Sequence, residues 1–272
     1  MMSHLKNRSA LAIYAVAYIV FLYLPVVLLP LFSFNQSITP SFPLTGFTTD
    51  WYLALADEPE MHNALINSLQ VAGTTSVFAT LLGACAARAF TRYKFRTKPA
   101  TEGIIMAPLF LPEILIGLSM LVVILWMGFE LSLATVVMGH VLVCLPYCVT
   151  VLISSFDGFD VTLEEASADL GEGSFGTLWR VILPIVMPGL ISSLIVSFTI
   201  SLDEFVLAFF LSGDEATLPV YIWGQLRFAA KLPVVMALGS LMLVASIGLL
   251  ILSEIVRRRG ERRLQTTGTP TP

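Results

Sequence analysis

Six long apolar stretches, separated by short polar segments, constrain this chain more than any other feature of its sequence. A bilayer core about 30 Å thick needs about 20 apolar residues at 1.5 Å rise per residue. Only 12% of the residues are charged, whereas soluble domains carry about 25%. These features exclude an ordinary water-soluble enzyme. The predicted membrane spans are residues 10–32, 64–90, 104–126, 134–155, 188–211 and 234–256.

The distribution of Lys and Arg predicts which ends of the spans face the cytoplasm. Positive charges precede the first span, follow the second, lie between the fourth and fifth, and follow the sixth. Only Arg227 and Lys231 lie on the other side, so the positive-inside rule places both termini in the cytoplasm. We therefore expect a transmembrane permease domain over residues 1–256 and a disordered cytoplasmic tail over residues 257–272.

The sequence gives no sign of a metal site. Cys85, Cys144 and Cys148 all lie inside apolar runs, with no metal-ligand spacing. We interpret them as small packing residues. The formal net charge of −4 is uninformative, since in a membrane protein the side on which each charge lies matters more.

The segment of residues 156–188, which we call the signature loop, is longer than a connection between two spans requires. Thr162 and Glu165 fit a capping box, with Thr162 as the N-cap of a short helix. That helix can run to Leu170, after which Gly171 supplies a left-handed turn.

A second short helix is predicted after this turn, with Ser174 as its N-cap. Pro184 and Pro188 should interrupt it near the membrane. Two short helices joined by a glycine form a protruding hairpin to which another protein can bind; alternatively, the hairpin packs beneath its own bundle. One apolar face is expected on the second helix, from Phe175, Leu178, Trp179 and Ile182.

The spacing of residues within the loop is specific. Glu165-Ala166-Ser167, three residues, Gly171, nine residues and then Val181-Ile182-Leu183-Pro184 resembles the cytoplasmic signature of binding-protein-dependent ABC importer permeases. The resemblance implies an all-α integral membrane protein with the six-helix type I permease fold and a coupling helix that docks on an ATPase subunit. The coupling residues it implies are Glu164, Glu165, Ala166, Ser167, Asp169, Gly171, Leu183 and Pro184.

Other segments resemble the permeases of spermidine/putrescine importers, in the same order along the chain. The implied function is translocation of polyamines into the cytoplasm across the bacterial inner membrane. Related carriers of aminophosphonates and of ferric iron remain as alternatives. The segments are residues 46–52, 92–96, 145–146, 158–160 and 197–203.

The family resemblance also implies partners. They are two ATP-binding subunits, a homologous second permease, a periplasmic solute-binding protein, membrane lipid and a small cationic solute, with no nucleic acid. The chain has no Gly-x-x-x-x-Gly-Lys-Ser/Thr motif, so ATP and Mg are expected on the ATPase subunits and no cofactor on this chain. It is expected to be a non-catalytic transport subunit.

Ionisable residues inside the spans are candidates for the solute pathway, because such groups are costly in lipid. We assign this role to Asp203, Glu204 and Glu113, and we expect His140 to hydrogen-bond between helices. Adjacent helical residues point about 100° apart, so Asp203 and Glu204 cannot both face one narrow path. Cation-π faces can come from Trp126, Tyr147 or Phe209.

Two other classes of membrane protein were weighed. An ion-coupled secondary carrier often shows internal repeats with paired broken helices. Pro108 and Pro112 can break the third predicted span, but the sequence shows no repeat that would supply a matching broken span. A membrane-embedded enzyme would need a catalytic motif, and neither His-Glu-x-x-His nor Gly-x-Ser-x-Gly occurs. The permease hypothesis is therefore favoured.

Overall fold

The computed structural model describes residues 2–267, and the chain divides into two compact units. The first unit comprises the chain up to Pro59 together with Ile222–Val244. The second comprises Glu60–Tyr221 together with the chain from Ala245 onward. The helices are α1 Met2–Ser33, α2 Asp50–Ala54, α3 Pro59–Arg92, α4 Lys98–Met106, α5 Glu113–Trp126, α6 Leu133–Asp157, α7 Val161–Asp169, α8 Ser174–Thr177, α9 Leu183–Asp203, α10 Val206–Leu211, α11 Leu218–Gln225 and α12 Leu232–Thr267.

In the first unit, the segment after α1 is fixed by polar contacts. The hydroxyl groups of Ser33 and Tyr52 lie 2.6 Å apart, and the indole Nε1 of Trp51 donates to the carbonyl of Asn35 at 2.8 Å. The apolar stretch of α1 is exposed from Leu11 to Val27, as expected of a helix that faces lipid or another chain, and becomes buried toward Ser33.

In the second unit, α3 packs through small side chains. Gly83 is one of them: a Cβ atom there would lie 2.7 Å from Cβ of Cys148 on α6. The hydroxyl groups of Thr80 and Ser193, on α3 and α9, lie 3.3 Å apart. Small residues allow such close helix approach within a membrane. The small residues of α3 on its buried face are Ala64, Ser68, Ala72, Thr75, Ser76, Ala79, Thr80, Gly83 and Ala87.

The expected membrane spans are recovered with one major change. Five helices within the described residues are long and apolar enough to cross a membrane, and a sixth span requires Lys98–Leu109 and Glu113–Trp126 to be counted together. These two pieces are bent by 104°, so the third predicted span is a broken helix. Pro108 and Pro112 explain the break, because each lacks a backbone N–H and disfavours helix in the residue before it.

The fifth span also differs from the prediction. A continuous helix covers Ser174–Asp203, so Pro184 and Pro188 do not interrupt it. Leu178–Ile182 forms a π-helical turn in which the N–H of Leu183 reaches the carbonyl of Leu178. This wider turn accommodates the chain ahead of Pro184, which has no N–H to bond the preceding turn. The helix ends at Asp203, and α10 begins only at Val206.

The final helix runs further than the predicted span. It continues from Leu232 to Thr267, into the segment for which the sequence predicts a disordered tail. The last part of that predicted tail, residues 268–272, lies outside the described residues.

Candidate functional site

The first helix of the signature loop, α7, begins with Asp160. The Asp160 carboxylate accepts the backbone N–H of Thr162 at 2.9 Å, and this bond lowers the pKa of Asp160. The predicted capping box of Thr162 and Glu165 was therefore wrong, because the helix starts earlier, at Val161.

The end of α7 is a Schellman turn centred on Gly171. The N–H of Gly171 bonds the carbonyl of Ala168 at 2.9 Å, and the N–H of Glu172 bonds the carbonyl of Ser167 at 3.1 Å. Gly171 has φ +87°, which favours glycine. The predicted left-handed turn is confirmed.

A buried hydrogen bond joins the two helices of the loop. The hydroxyl groups of Ser167 on α7 and Thr177 on α8 lie 3.0 Å apart, and both side chains are buried. Gly173 occupies the N-cap position of α8, and Ser174, whose side chain makes no cap, is its first residue, so the predicted Ser174 cap was also wrong.

Glu164 fastens α7 to the end of α3. One carboxylate oxygen lies 3.1 Å from Nη2 of Arg88, and the other lies 3.3 Å from Nε of Arg92. The two arginines are one helical turn apart, and all three side chains are partly shielded from solvent. Glu164 therefore turns toward its own bundle.

The opposite side of the loop is open. Glu165 and Ala166 are exposed, as is Asp169 near the end of α7. Leu183 and Pro184 lie in the first turn of α9. The loop thus presents several carboxylates, among them those of Glu165 and Asp169, and several apolar side chains to its surroundings. The large exposed apolar side chains are Leu163, Leu170, Phe175 and Trp179.

The second group of predicted residues lies where α9 ends. Glu204 is buried, with a carboxylate oxygen 3.0 Å from Nε2 of His140, whose Nδ1 lies 2.7 Å from Oγ of Ser201. The same carboxylate accepts the backbone N–H groups of Leu207 and Ala208, at 3.0 and 3.2 Å, and so caps α10. His140 links α6 to α9, as the sequence predicts. The contacts of Glu204 are structural, and a part for it in the pathway stays a prediction.

Asp203, the neighbour of Glu204, is placed differently. Its side chain is exposed and accepts a hydrogen bond from Oγ of Ser246 on α12, at 2.8 and 3.0 Å to the two carboxylate oxygens. The rings of Phe205 and Phe209 follow, with centroids 5.5 Å apart. The helix break therefore separates one buried carboxylate from one that is accessible.

Glu113, the third predicted pathway residue, lies at the other helix break. It is the exposed first residue of α5, directly after Pro112. Two of the predicted cation-π residues, Trp126 and Tyr147, are exposed on α5 and α6. The structure shows no contact that brings Glu113 to Asp203.

Sequence reasoning missed the contacts that join elements far apart in the chain. Nothing in the local pattern pairs Glu164 with Arg88, or Ser167 with Thr177. The adjacent positions of Glu164 and Glu165 on one helix were a usable signal: only one of two consecutive residues can face the bundle, so the two glutamates should have different contacts.

The class of protein is defined by comparison with solved structures. The structure superposes with a TM-score of 0.70 on a chain of a bacterial alginate ABC transporter that was crystallised with an alginate-bound periplasmic protein. The two chains are 15% identical over 93% of this chain and 94% of that one, so the likeness shows the fold. The fold is that of an ABC transporter permease.

The family is defined by sequence. Residues 79–265 match the model of the family described as binding-protein-dependent transport system inner membrane component, and the chain belongs to this family. It is a permease subunit of an ABC importer in the bacterial inner membrane, a transport component and not a catalyst.

Two curated relatives are similar over most of their length. The spermidine/putrescine permease PotC of Escherichia coli K12 is 35% identical, with 93% of this chain and 94% of PotC covered. The putrescine permease PotI of the same strain is 33% identical, with 83% of this chain and 82% of PotI covered.

Proposed function

We propose that this permease carries polyamines of the spermidine/putrescine class into the cytoplasm. The observation that carries the proposal is the similarity to PotC, which spans nearly the whole of both chains. PotI, named as a putrescine permease, supports the same solute class.

The end of α9 has the electrostatics that a cationic solute requires. A helix C-terminus carries a partial negative charge, and Asp203 adds a carboxylate to it. The partial positive charge at the start of α10 is offset by Glu204, whose carboxylate also contacts Nε2 of His140. What remains uncompensated is negative, and an exposed carboxylate in a span is costly unless it meets water or a partner.

Aromatic rings accompany this negative site. The ring of Phe209 is about half exposed and lies six residues after Asp203 in the sequence, beyond the helix break. An ammonium group near such a ring is stabilised by cation-π attraction. These features support Asp203 as a pathway residue, with Glu113 at the other helix break as a second candidate.

The complex in which the permease works follows from the same family. We propose that it pairs with a homologous second permease, that two ATP-binding subunits hold ATP and Mg, and that a periplasmic solute-binding protein delivers the solute. The exposed face of α7, with Glu165 at its centre, is the proposed docking surface for the ATPase. This arrangement puts the signature loop in the cytoplasm, as the positive-inside rule predicts.

The test is uptake of labelled spermidine and putrescine by complexes reconstituted with a saturated binding protein. Asp203→Asn keeps the size and the acceptor for Ser246 but removes the charge, so uptake should fall severalfold while complex recovery and basal ATP hydrolysis are retained. Ser246→Ala is the matched control, because it removes the partner of Asp203 and leaves the charge.

Two outcomes contradict the proposal. Unchanged uptake in Asp203→Asn removes this residue from the pathway. A binding protein from the same system that binds ferric iron or an aminophosphonate, and no polyamine, overturns the solute assignment itself.

A further inference from the structure

Helix α3 holds contacts at both of its ends that connect it to other functional segments. At one end, Arg88 and Arg92 bind Glu164 of the signature loop. At the other end, Nδ2 of Asn67 donates to the carbonyl of Ala216 at 3.0 Å, and Oγ of Ser68 accepts the N–H of Leu218 at 2.7 Å. Leu218 is the first residue of α11, so these bonds hold the segment that leads into that helix.

The distance between the two sets of contacts matches a membrane. From Ser68 to Arg88 the helix rises about 30 Å at 1.5 Å per residue, close to the thickness of the hydrocarbon core. The contacts at the two ends of α3 are therefore far enough apart to lie on opposite sides of a bilayer.

The body of α3 is suited to moving as one piece. After Pro59 it contains no proline, whereas α1, α6 and α9 have prolines within them. Its buried face consists largely of small side chains, which allow packed helices to slide by small amounts. A displacement at the loop end is therefore carried to the far end with little loss to bending.

The far end of α3 borders a cavity of about 470 Å³. A shift of α3 against residues 214–218 changes the shape of this cavity, because both contribute to its wall. Its polar lining is Glu60, Asn63 and Asn67 from α3, and Asp214, Glu215 and Tyr221 from the segment opposite.

We propose that α3 links the position of the signature loop to the shape of this cavity, and that Glu164 is the positioning residue that fastens the loop to the helix. The inference rests on the ATPase docking proposed above. Glu165 is exposed and belongs to the proposed docking surface, whereas Glu164 faces the bundle. Substitutions of Glu165 therefore test docking of the ATPase, and substitutions of Glu164 test the link between the loop and α3.

Removing the charge of Glu164 has two effects in the same direction. It releases α7 from α3, and it leaves Arg88 and Arg92 as like charges at i and i+4, which repel each other. The ion pairs form a network of one carboxylate and two guanidinium groups, which stabilises more than an isolated surface pair does.

The test measures the cavity directly and uses no transported solute. Asn63→Cys places a thiol in the cavity wall. Cys85→Ser removes the exposed native cysteine of the chain, and the other two cysteines, Cys144 and Cys148, are buried. Labelling by a membrane-impermeant maleimide is timed in the purified complex with its ATPase subunits, with and without ATP and vanadate. We expect the labelling rate to change severalfold between the two states, and Glu164→Gln to remove most of that change while the ATPase is still recovered with the permease.

Glu172→Gln is the matched control, because Glu172 also pairs with an arginine of the loop, Arg180, but does not contact α3. It should leave the response to ATP intact. The proposal is overturned if the labelling rate does not respond to ATP in the parent, if Glu164→Gln responds as the parent does, or if Glu172→Gln removes the response equally. If Glu164→Gln fails to assemble, Arg88→Gln, which keeps the contact of Arg92, decides by the same criteria.

Because no polyamine enters this experiment, its outcome is independent of the solute assignment. Recovery of the ATPase in the same samples reports docking separately. If the ATPase is recovered but the labelling no longer responds to ATP, the link through α3 is lost; if the ATPase is not recovered, docking itself is lost.

Discussion

The hydroxyl group of Ser167 lies 3.0 Å from that of Thr177, and this contact joins the two helices of the signature loop from inside. The spacing of the signature does not require this hydrogen bond, which depends on the two hydroxyl side chains. Its two partners lie on either side of Gly171.

Ser167→Ala should loosen the loop. It leaves the buried hydroxyl of Thr177 without its partner, which costs about 1–3 kcal/mol. Hydrogen exchange of the α7 amides measures the loss, and Ser174→Ala, at an exposed position without a cap, is the control. Ser167→Ala combined with Thr177→Val removes both polar groups and should restore most of the protection; equal exchange in all variants would show that the bond contributes nothing.

Gly171 tests the Schellman turn. A Cβ atom at this position meets nothing within 4 Å, so any effect of substitution comes from the backbone. Gly171→Val should strain the turn by about 1–2 kcal/mol or more, while Gly171→Asn, which tolerates the left-handed region, should be mild. The measurement is solute-stimulated ATPase activity in recovered complexes; full stimulation in the valine variant contradicts the prediction.

Asp160 makes the start of α7 dependent on pH. Its pKa is lowered by the N–H of Thr162, so the stabilisation by the charged cap is complete above the ordinary aspartate pKa of 3.8 and is lost as the pH falls through the lowered value. Asp160→Asn should keep the cap and abolish this dependence, and Asp160→Ala should lose protection at every pH. Amide exchange of α7 between pH 3 and 7, a range about the ordinary pKa, is the measurement.

Glu204 should respond to substitution as a structural residue. Glu204→Gln keeps an acceptor for the N–H groups of Leu207 and Ala208, whereas Glu204→Leu leaves both unpaired at a cost of about 1–3 kcal/mol each. The thermal unfolding temperature of the purified leucine variant should therefore be well below that of the glutamine variant. Equal stability of the two variants would contradict the capping role.

Two glycines of α3 form a matched pair. Gly83→Ala places a Cβ atom 2.7 Å from Cβ of Cys148, so it should push α3 from α6 and destabilise by about 1–3 kcal/mol. Gly73→Ala meets nothing within 4 Å and should be neutral or stabilise by up to about 1 kcal/mol. Thermal unfolding of the two variants in one detergent makes the comparison; a similar shift in both would contradict close packing at Gly83.

The spans were predictable because apolar length is a local property. The averaging over about 20 residues that finds a span does not show the bend within it, although Pro108 and Pro112 each signal a possible interruption. The end of α9 at Asp203 carries no proline. The break depends on Glu204, which caps α10, and on His140 from another helix, and neither contact can be read from the local sequence.

Within the signature loop, glycine was the reliable signal and the caps were not. Gly171 is required by a backbone angle that few residues adopt, so the residue type alone predicts the turn. Asp160 and Thr162 are both good caps by residue type, and the sequence alone does not decide between candidates that lie two residues apart. The role of Glu164 depends on Arg88 and Arg92 of α3, which only the fold brings near.

The unbroken helix from Ser174 to Asp203 also sets an angular register between the loop and the carboxylate. Each residue turns the helix by 100°, so a one-residue insertion after the π turn would rotate Asp203 away from Ser246. Insertions of about seven residues, close to two turns, nearly restore direction but lengthen the helix by about 10 Å. The stretch from Leu183 to Asp203 therefore behaves as a spacer of fixed length.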